Sequence, residues 1–198
     1  MELPELAILG SQMRKEIVGK QVSGVEIANP KCLNVTFEQF RKAVVGKTIK
    51  SVESRGKWLF IKLNSHWLLF NPGMGVDFIH FKPNDKLPEK YQIKFGLEDG
   101  TGFTVRVWWF CYMHLMLEKE LGEHKLTANL GITPLDTGFT LDYFKHLLSQ
   151  KRGSIKSFLL NQKNIAGIGN VYIQDILFNA GLHPKRKIPS ITDTEIRV

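Results

Sequence analysis

The stretch Asn161–Pro184, NQKNIAGIGNVYIQDILFNAGLHP, limits the possible folds of this chain more than any other. At its centre Gly167 and Gly169 flank Ile168, and Asn170 follows. Glycine reaches backbone angles closed to other residues and lets a ligand come close to the main chain. Upstream, Ile155, Phe158, Leu159 and Leu160 form a helical apolar stripe; downstream, Val171, Ile173, Ile176, Leu177 and Ala180 form another, which His183-Pro184 ends. The stretch therefore reads as helix, tight glycine turn, helix, with the second helix starting near Gly169-Asn170. A helix N-terminus beside such a turn presents backbone N–H groups suited to an anion. A plain helical hairpin with no ligand fits the local pattern equally well.

Charge points toward an anion. The 198 residues carry 27 Lys and Arg against 19 Asp and Glu, a net charge of +8. From Lys151 onward, around the glycine turn, there are eight basic and three acidic residues. An excess of this kind favours a polyanionic partner, most simply nucleic acid. Cys32 and Cys111 lack CxxC spacing, which predicts a reduced cytoplasmic or nuclear setting with no disulfide framework. The six histidines are scattered and no metal site is readable. No signal peptide or membrane span is readable either.

Taken in order, the chain opens with Met1-Glu2-Leu3-Pro4-Glu5, two carboxylates close to the α-amine. Leu6, Leu9, Met13 and Ile17 then share one helix face, with Pro4 and Glu5 suited to its first turn. This predicts an amino terminus held beside a helix; for Glu2 and Glu5, helix-terminal charge alone is the simpler explanation. Thr36 and Gln39 have capping-box spacing for a short helix ending near Gly46. Segments 21–28, 48–53, 57–64, 65–70, 76–81, 92–97 and 103–109 read as strands separated by turn residues, as in a β-sandwich or barrel. After Tyr112 the pattern reads as helical. A composition shift at 127–138 reads as a linker, and Thr140 is a candidate N-cap for a helix with Tyr143, Phe144, Leu147 and Leu148 on its apolar face. The predicted fold is α+β: an N-terminal β-sandwich with flanking helices over 1–130 and a C-terminal helical domain over 131–198. A capping box at Thr192–Glu195 opens a helix three residues before the chain stops at Val198, which leads us to expect a fragment of a longer protein.

The ELPE start, the strand-rich half and IKSFLLNQKNIAGIGNVYIQDILFNAGLHP together resemble the formamidopyrimidine-DNA glycosylase / endonuclease VIII family, along essentially the whole chain. The last segment is close to that family's helix–two-turn–helix. Leu130–Leu135 resembles its linker, Arg55-Gly56-Lys57 its R-[GA]-K strand start, and Gly73-Met74 its LGM turn. The resemblance implies a base-excision-repair glycosylase with associated lyase activity. Such a protein binds double-stranded DNA with a damaged base or abasic site and flips the target nucleotide out of the stack. Its N-terminal amine attacks C1′ of the deoxyribose, forms a Schiff base and permits elimination. As a class, α-amines titrate near roughly 8, against about 10.4 for lysine, so a useful fraction is neutral at physiological pH.

By the same resemblance the nucleophile is the amine of Met1, Glu2 the acid/base beside it, and Lys57 the ligand of the phosphate flanking the lesion. Met74 fills the gap left by the flipped nucleotide, Phe110 is the wedge that probes the stack, Asn170 grips a phosphate at the turn, and Lys156 adds positive charge near the DNA.

Several positions depart from the family. Met1 directly precedes Glu2, where relatives begin MPELPE and expose a proline. Trp109 stands where a second Arg fills the hole opposite the lesion, so opposite-base preference should be weak or different. On an alternating strand, at least one of Trp108 and Trp109 could instead be plain core. Asn71-Pro72 replaces His-Leu, and Asp175 replaces Glu. The two CxxC pairs of the family's zinc finger cannot be built from Cys32 and Cys111, so no cofactor is expected. The expected protein is a monomer in the cytoplasm, nucleoid-associated if bacterial, or in the nucleus if eukaryotic. A catalytically impaired relative that only binds damaged DNA is the rival reading. A helix–two-turn–helix RNA-binding protein is a third, and the ELPE start argues against it.

Overall fold

The computed structural model describes residues 1–197; Val198, the end of the predicted second domain, lies outside the described residues. Two compact units emerge, and neither is one continuous segment. The first comprises Met1, Glu5–Ser54 and Trp58–His124; the second comprises Glu2–Pro4, Arg55–Lys57 and the chain from Lys125 onward.

The first unit is built from two four-stranded antiparallel sheets. Its strands are β1 (Val22–Ile27), β2 (Ser51–Arg55), β3 (Trp58–Lys62), β4 (His66–Asn71), β5 (Val76–Phe81), β6 (Ile93–Leu97), β7 (Gly102–Val107) and β8 (Tyr112–Leu117). The sheet orders are β1-β6-β7-β5 and β2-β3-β4-β8. Phe95, Phe103 and Val105 from one sheet and Leu59, Leu68, Phe70 and Met113 from the other join one continuous buried core. Helix α1 (Leu3–Ile17) adds Leu6, Leu9, Met13 and Ile17 to that core, the face its spacing predicts. Gly10 interrupts the stripe because a Cβ there would lie 3.3 Å from Ser54 Cβ and 3.4 Å from Leu59 Cδ2; small size permits the close approach. Helix α2 (Phe37–Val44) starts on the predicted capping box, with Thr36 accepting from Gln39 N and Gln39 accepting from Thr36 N.

Two expectations are corrected. Tyr112–Leu117 is not helical: it is strand β8, paired residue by residue with β4 from Asn71↔Tyr112 to His66↔Leu117. The segment YMHLML carries apolar residues at both parities, so periodicity did not distinguish it, and the pairing with β4 decides its state. The seventh strand ends at Val107, and Trp108, Trp109 and Phe110 lie in the β7–β8 connection, so neither tryptophan is core.

Beside β8, His114 Nδ1 and His124 Nε2 are 2.8 Å apart, in ring contact with Trp58. Burial lowers the pKa of both, and His114 is lowered further by His124. The unfolded chain, with ordinary histidines near 6.5, therefore binds more protons than the folded one as pH falls through about 6.5. Stability is present above that value and is lost on acidification. The melting temperature should fall between about pH 7.5 and pH 5, and the slope should flatten in His114→Gln. A pH-independent melting temperature over that range would contradict the assignment.

The second unit holds the helices α3 (Leu141–Ser149), α4 (Ile155–Leu160), α5 (Tyr172–Asn179) and α6 (Asp193–Ile196). Thr140, Ser154 and Thr192 cap α3, α4 and α6 by accepting from Tyr143, Ser157 and Glu195 N–H groups. Ile155, Phe158, Leu159, Ile165, Ile168, Ile173 and Leu177 form its core. Helix α5 begins at Tyr172, later than the glycine pattern suggests. Its N-cap residue, Val171, supplies no side-chain bond. Among the described residues no helix is long and apolar enough to cross a membrane.

Candidate active site and DNA-contacting surface

The cap that α5 lacks locally comes from the start of the chain. Glu2 Oε2 accepts from Gly169 N at 2.6 Å and from Tyr172 N at 3.4 Å, and Oε1 accepts from Val171 N at 2.9 Å. The N–H groups left open for an outside anion by the sequence are thus taken by the chain's own carboxylate. A negative group is favoured there because the first turn of a helix presents unsatisfied N–H groups at the positive end of its dipole. Glu5 lies in the first turn of α1, as its position predicts. Glu2 serves a different helix.

Glycines set this arrangement. At Gly169 a Cβ would lie 2.3 Å from Glu2 Oε1 and 2.6 Å from Lys57 Nζ, so the carboxylate and the ammonium converge on the space a side chain would fill. Gly167 has φ +104, and its carbonyl accepts from Leu3 N at 3.1 Å. Gly56, φ +58, brings the Arg55–Lys57 segment against Ala166, where a Cβ would lie 2.8 Å from the alanine methyl. Burial lowers the Lys57 pKa, and the Glu2 charge partly raises it again. Asn170 follows Gly169 with an exposed side chain.

One contributor was missed in the sequence. Gln162 Nε2 donates to Leu160 O and Ile168 O at 3.0 and 2.8 Å, and its Oε1 accepts from Gly167 N at 2.9 Å. A buried turn needs its peptide groups satisfied, and one amide side chain answers three of them. An amide five residues before a glycine pair was the only available signal. Lys156, on α4, is half-buried, and among the described residues its ammonium has no hydrogen bond or ion pair.

In the first unit, the Met1 α-amine donates to Gly73 O at 2.7 Å. Gly73 has φ +70, and its N–H donates to Asn71 Oδ1 at 2.9 Å, which gives Asn71 a turn-forming role. A Cβ on Gly73 would lie 1.6 Å from Phe110 O, so the turn after β4 and the β7–β8 connection meet backbone to backbone. The neighbouring Trp108 N donates to Gly75 O at 3.0 Å. Around this contact Met74 is 52% exposed, Trp108 58%, Trp109 77% and Phe110 53%. Arg106 lies 4.0 Å from the Trp108 ring centre, a cation–π contact. Phe110 meets Tyr112 edge-on, and Tyr112 stacks on Trp58. Large apolar side chains exposed together in this way mark a contact surface.

Seven of the eight predicted sites fall into two groups, Lys156 on α4 being the exception: Glu2, Lys57 and Asn170 gather at the glycine turn of the second unit, and Met1, Met74, Trp109 and Phe110 gather around Gly73 in the first.

Comparison with known proteins follows the same two parts. Residues 1–106 match the family model of the formamidopyrimidine-DNA glycosylase N-terminal domain, and residues 130–198 that of the formamidopyrimidine-DNA glycosylase H2TH domain. The formamidopyrimidine-DNA glycosylase of Streptococcus pneumoniae R6 is 30% identical over 195 residues, covering 98% of this chain and 71% of that protein. Among solved structures, Lactococcus lactis formamidopyrimidine-DNA glycosylase bound non-covalently to DNA containing an AP site matches with a TM-score of 0.88 at 25% identity, covering all of this chain and 75% of that one. A MutM complex with DNA containing carbocyclic 8-oxo-G matches with a TM-score of 0.87 at 26% identity, again over the whole chain and 75% of the other.

Proposed function

The chain belongs to the formamidopyrimidine-DNA glycosylase family of DNA repair proteins, and we propose that it acts as a bifunctional glycosylase and abasic-site lyase through the amine of Met1. Its partner on this reading is double-stranded DNA carrying a damaged base or an abasic site, as in the solved complexes of its relatives.

The observation that carries the reading is the convergence on Gly169. A carboxylate and an ammonium close around one backbone position, and one peptide bond separates that carboxylate's residue from the α-amine. In the proposed reaction the deprotonated amine attacks C1′, the glycosidic bond breaks as the base leaves, and the product is an imine of a primary amine. That imine permits strand cleavage by elimination. Glu2, held by three N–H groups, transfers protons beside the amine. Lys57 takes the phosphate flanking the lesion, where an anion offsets the cost of burying its charge. Asn170 grips a further phosphate, and Lys156 adds positive charge. Met74 fills the space vacated by the flipped nucleotide, while Phe110 probes the stack. Trp109 offers a stacking face and one donor in place of a guanidinium, so opposite-base preference is weak or different.

The test is reductive trapping. The protein is incubated with duplex DNA containing an abasic site and borohydride is added. The expected result is a covalent adduct that peptide mapping assigns to Met1. An adduct at Lys57 would overturn the amine assignment. Intact DNA binding with no adduct would sink the lyase reading in favour of a protein that only binds damaged DNA.

A further inference from the structure

Neither cysteine has a part in the proposed chemistry, yet the fold places them together. Cys32 ends a short 3-10 turn, Pro30–Cys32, and belongs to the buried core; Cys111 packs against the same core, one residue after Phe110. Both line a surface cavity of about 360 Å³, together with Trp109, Phe110 and Tyr112. Both thiols are free, and each is the largest influence on the other's pKa, as expected of neighbouring groups. Each is held from outside. Asn34, two residues after Cys32, exchanges bonds of 2.7 and 2.9 Å with the Leu115 main chain. Gln92 Oε1 accepts from Val107 N at 2.7 Å at the start of the 107–112 connection.

We propose that Cys32 and Cys111 are a redox-responsive dithiol, which a hydroperoxide converts to an intramolecular disulfide that ties the 107–112 connection to the Pro30–Cys32 turn. The cavity lined by both residues offers an oxidant a route toward them. The influence of each thiol on the other favours Cys32 as the one that reacts first, since Cys111 lowers the Cys32 pKa and Cys32 raises that of Cys111. In the first step the Cys32 thiolate attacks a peroxide oxygen: an S–O bond forms, the O–O bond breaks, and the leaving hydroxide or alkoxide takes a proton. Cys111 then attacks the Cys32 sulfenic acid; the S–S bond forms, the S–O bond breaks, and hydroxide leaves with the Cys111 proton as water. Two thiols are oxidised and one peroxide is reduced. In a reducing compartment the bond is transient, as is usual for redox-sensing pairs. The exposed aromatics of the connection then lose freedom to rearrange, and a surface that must adapt to DNA binds it less well. That last consequence rests on the proposed DNA-binding role of Trp109 and Phe110; the disulfide itself does not.

The reduced full chain is treated with hydrogen peroxide, blocked with N-ethylmaleimide and weighed intact. Two alkylations are expected before oxidation and none after, with a Cys32–Cys111 cross-linked peptide that dithiothreitol removes. Persistent double alkylation, added oxygen on either sulfur, or a disulfide between two copies would overturn the proposal. Affinity for duplex DNA with an abasic-site analogue is measured on the same samples. It should fall by about tenfold on oxidation and return with dithiothreitol, while Cys111→Ser keeps the affinity of the reduced protein throughout. A cross-link that leaves affinity unchanged would refute the tether's effect. Failure of the reduced protein to bind DNA would instead count against the DNA-binding reading, with the mass measurement still deciding the disulfide.

Discussion

Glu2→Gln is expected to lower base excision and strand cleavage by roughly 10²- to 10⁴-fold, the range of a lost general acid–base group. The change preserves size and leaves one acceptor oxygen. The three N–H groups of Gly169, Val171 and Tyr172 now use both carboxylate oxygens. In either orientation the new amide turns a donor toward a donor. Losing hydrogen bonds to a charged group costs about 1.5–3 kcal/mol, so the melting temperature should fall as well. Lys57 loses the charge that raises its pKa, leaving only the lowering by burial. Affinity for abasic-site DNA should hold or tighten, because a negative charge near the phosphates is gone. Single-turnover cleavage and DNA binding measured together provide the check: activity within tenfold of the parent would remove Glu2 from the proposed chemistry.

Gly73→Ala should act on the other group of residues. Its φ of +70 costs an L-residue roughly 1–2 kcal/mol. The added Cβ would also lie 1.6 Å from Phe110 O, a backbone atom with no rotamer to adopt. The turn or the β7–β8 connection must move, and with it the carbonyl that holds the Met1 amine. We expect a stability loss on the order of 2–3 kcal/mol by denaturant titration and a more than tenfold fall in the rate of borohydride-trapped adduct formation. Gly24→Ala, where a Cβ meets nothing within 4 Å, is the control and should leave both unchanged. A fully stable, fully active Gly73→Ala protein would show that the amine does not depend on this turn.

What the sequence made legible was local. The Thr36/Gln39 capping box and the α1 stripe Leu6, Leu9, Met13, Ile17 depend on residues within a few positions of each other, and both are present. What it hid depends on distant partners. Tyr112–Leu117 is a strand because β4 lies beside it, 45 residues away in sequence at the Leu69↔His114 pair. The fate of Trp108 and Trp109 follows from where β7 ends, and that boundary is set by pairing with β5 at Val76↔Val107. The glycine turn was visible as a turn, and its N–H groups as an anion site. That the anion would be Glu2, 167 residues away from Gly169, was beyond any local pattern. Gly169 itself read as a turn former, whereas the structure uses its missing side chain to make room for two charged groups.

The Glu2 cap on α5 also bears on how the molecule can be made and divided. Because Glu2–Pro4 and Arg55–Lys57 belong with the helices that follow Lys125, the helical unit cannot be excised as one contiguous piece. A fragment starting at Lys125 would carry α5 with the three N–H groups that Glu2 serves left to water. During synthesis Glu2 is made first, and the cap waits for its three partners until residues 169–172 have been added. The contact that completes it closes a loop of nearly the whole protein, an entropic cost that grows only with the logarithm of length but falls due late. Any extension fused ahead of Met1 would load the very residues that finish the fold.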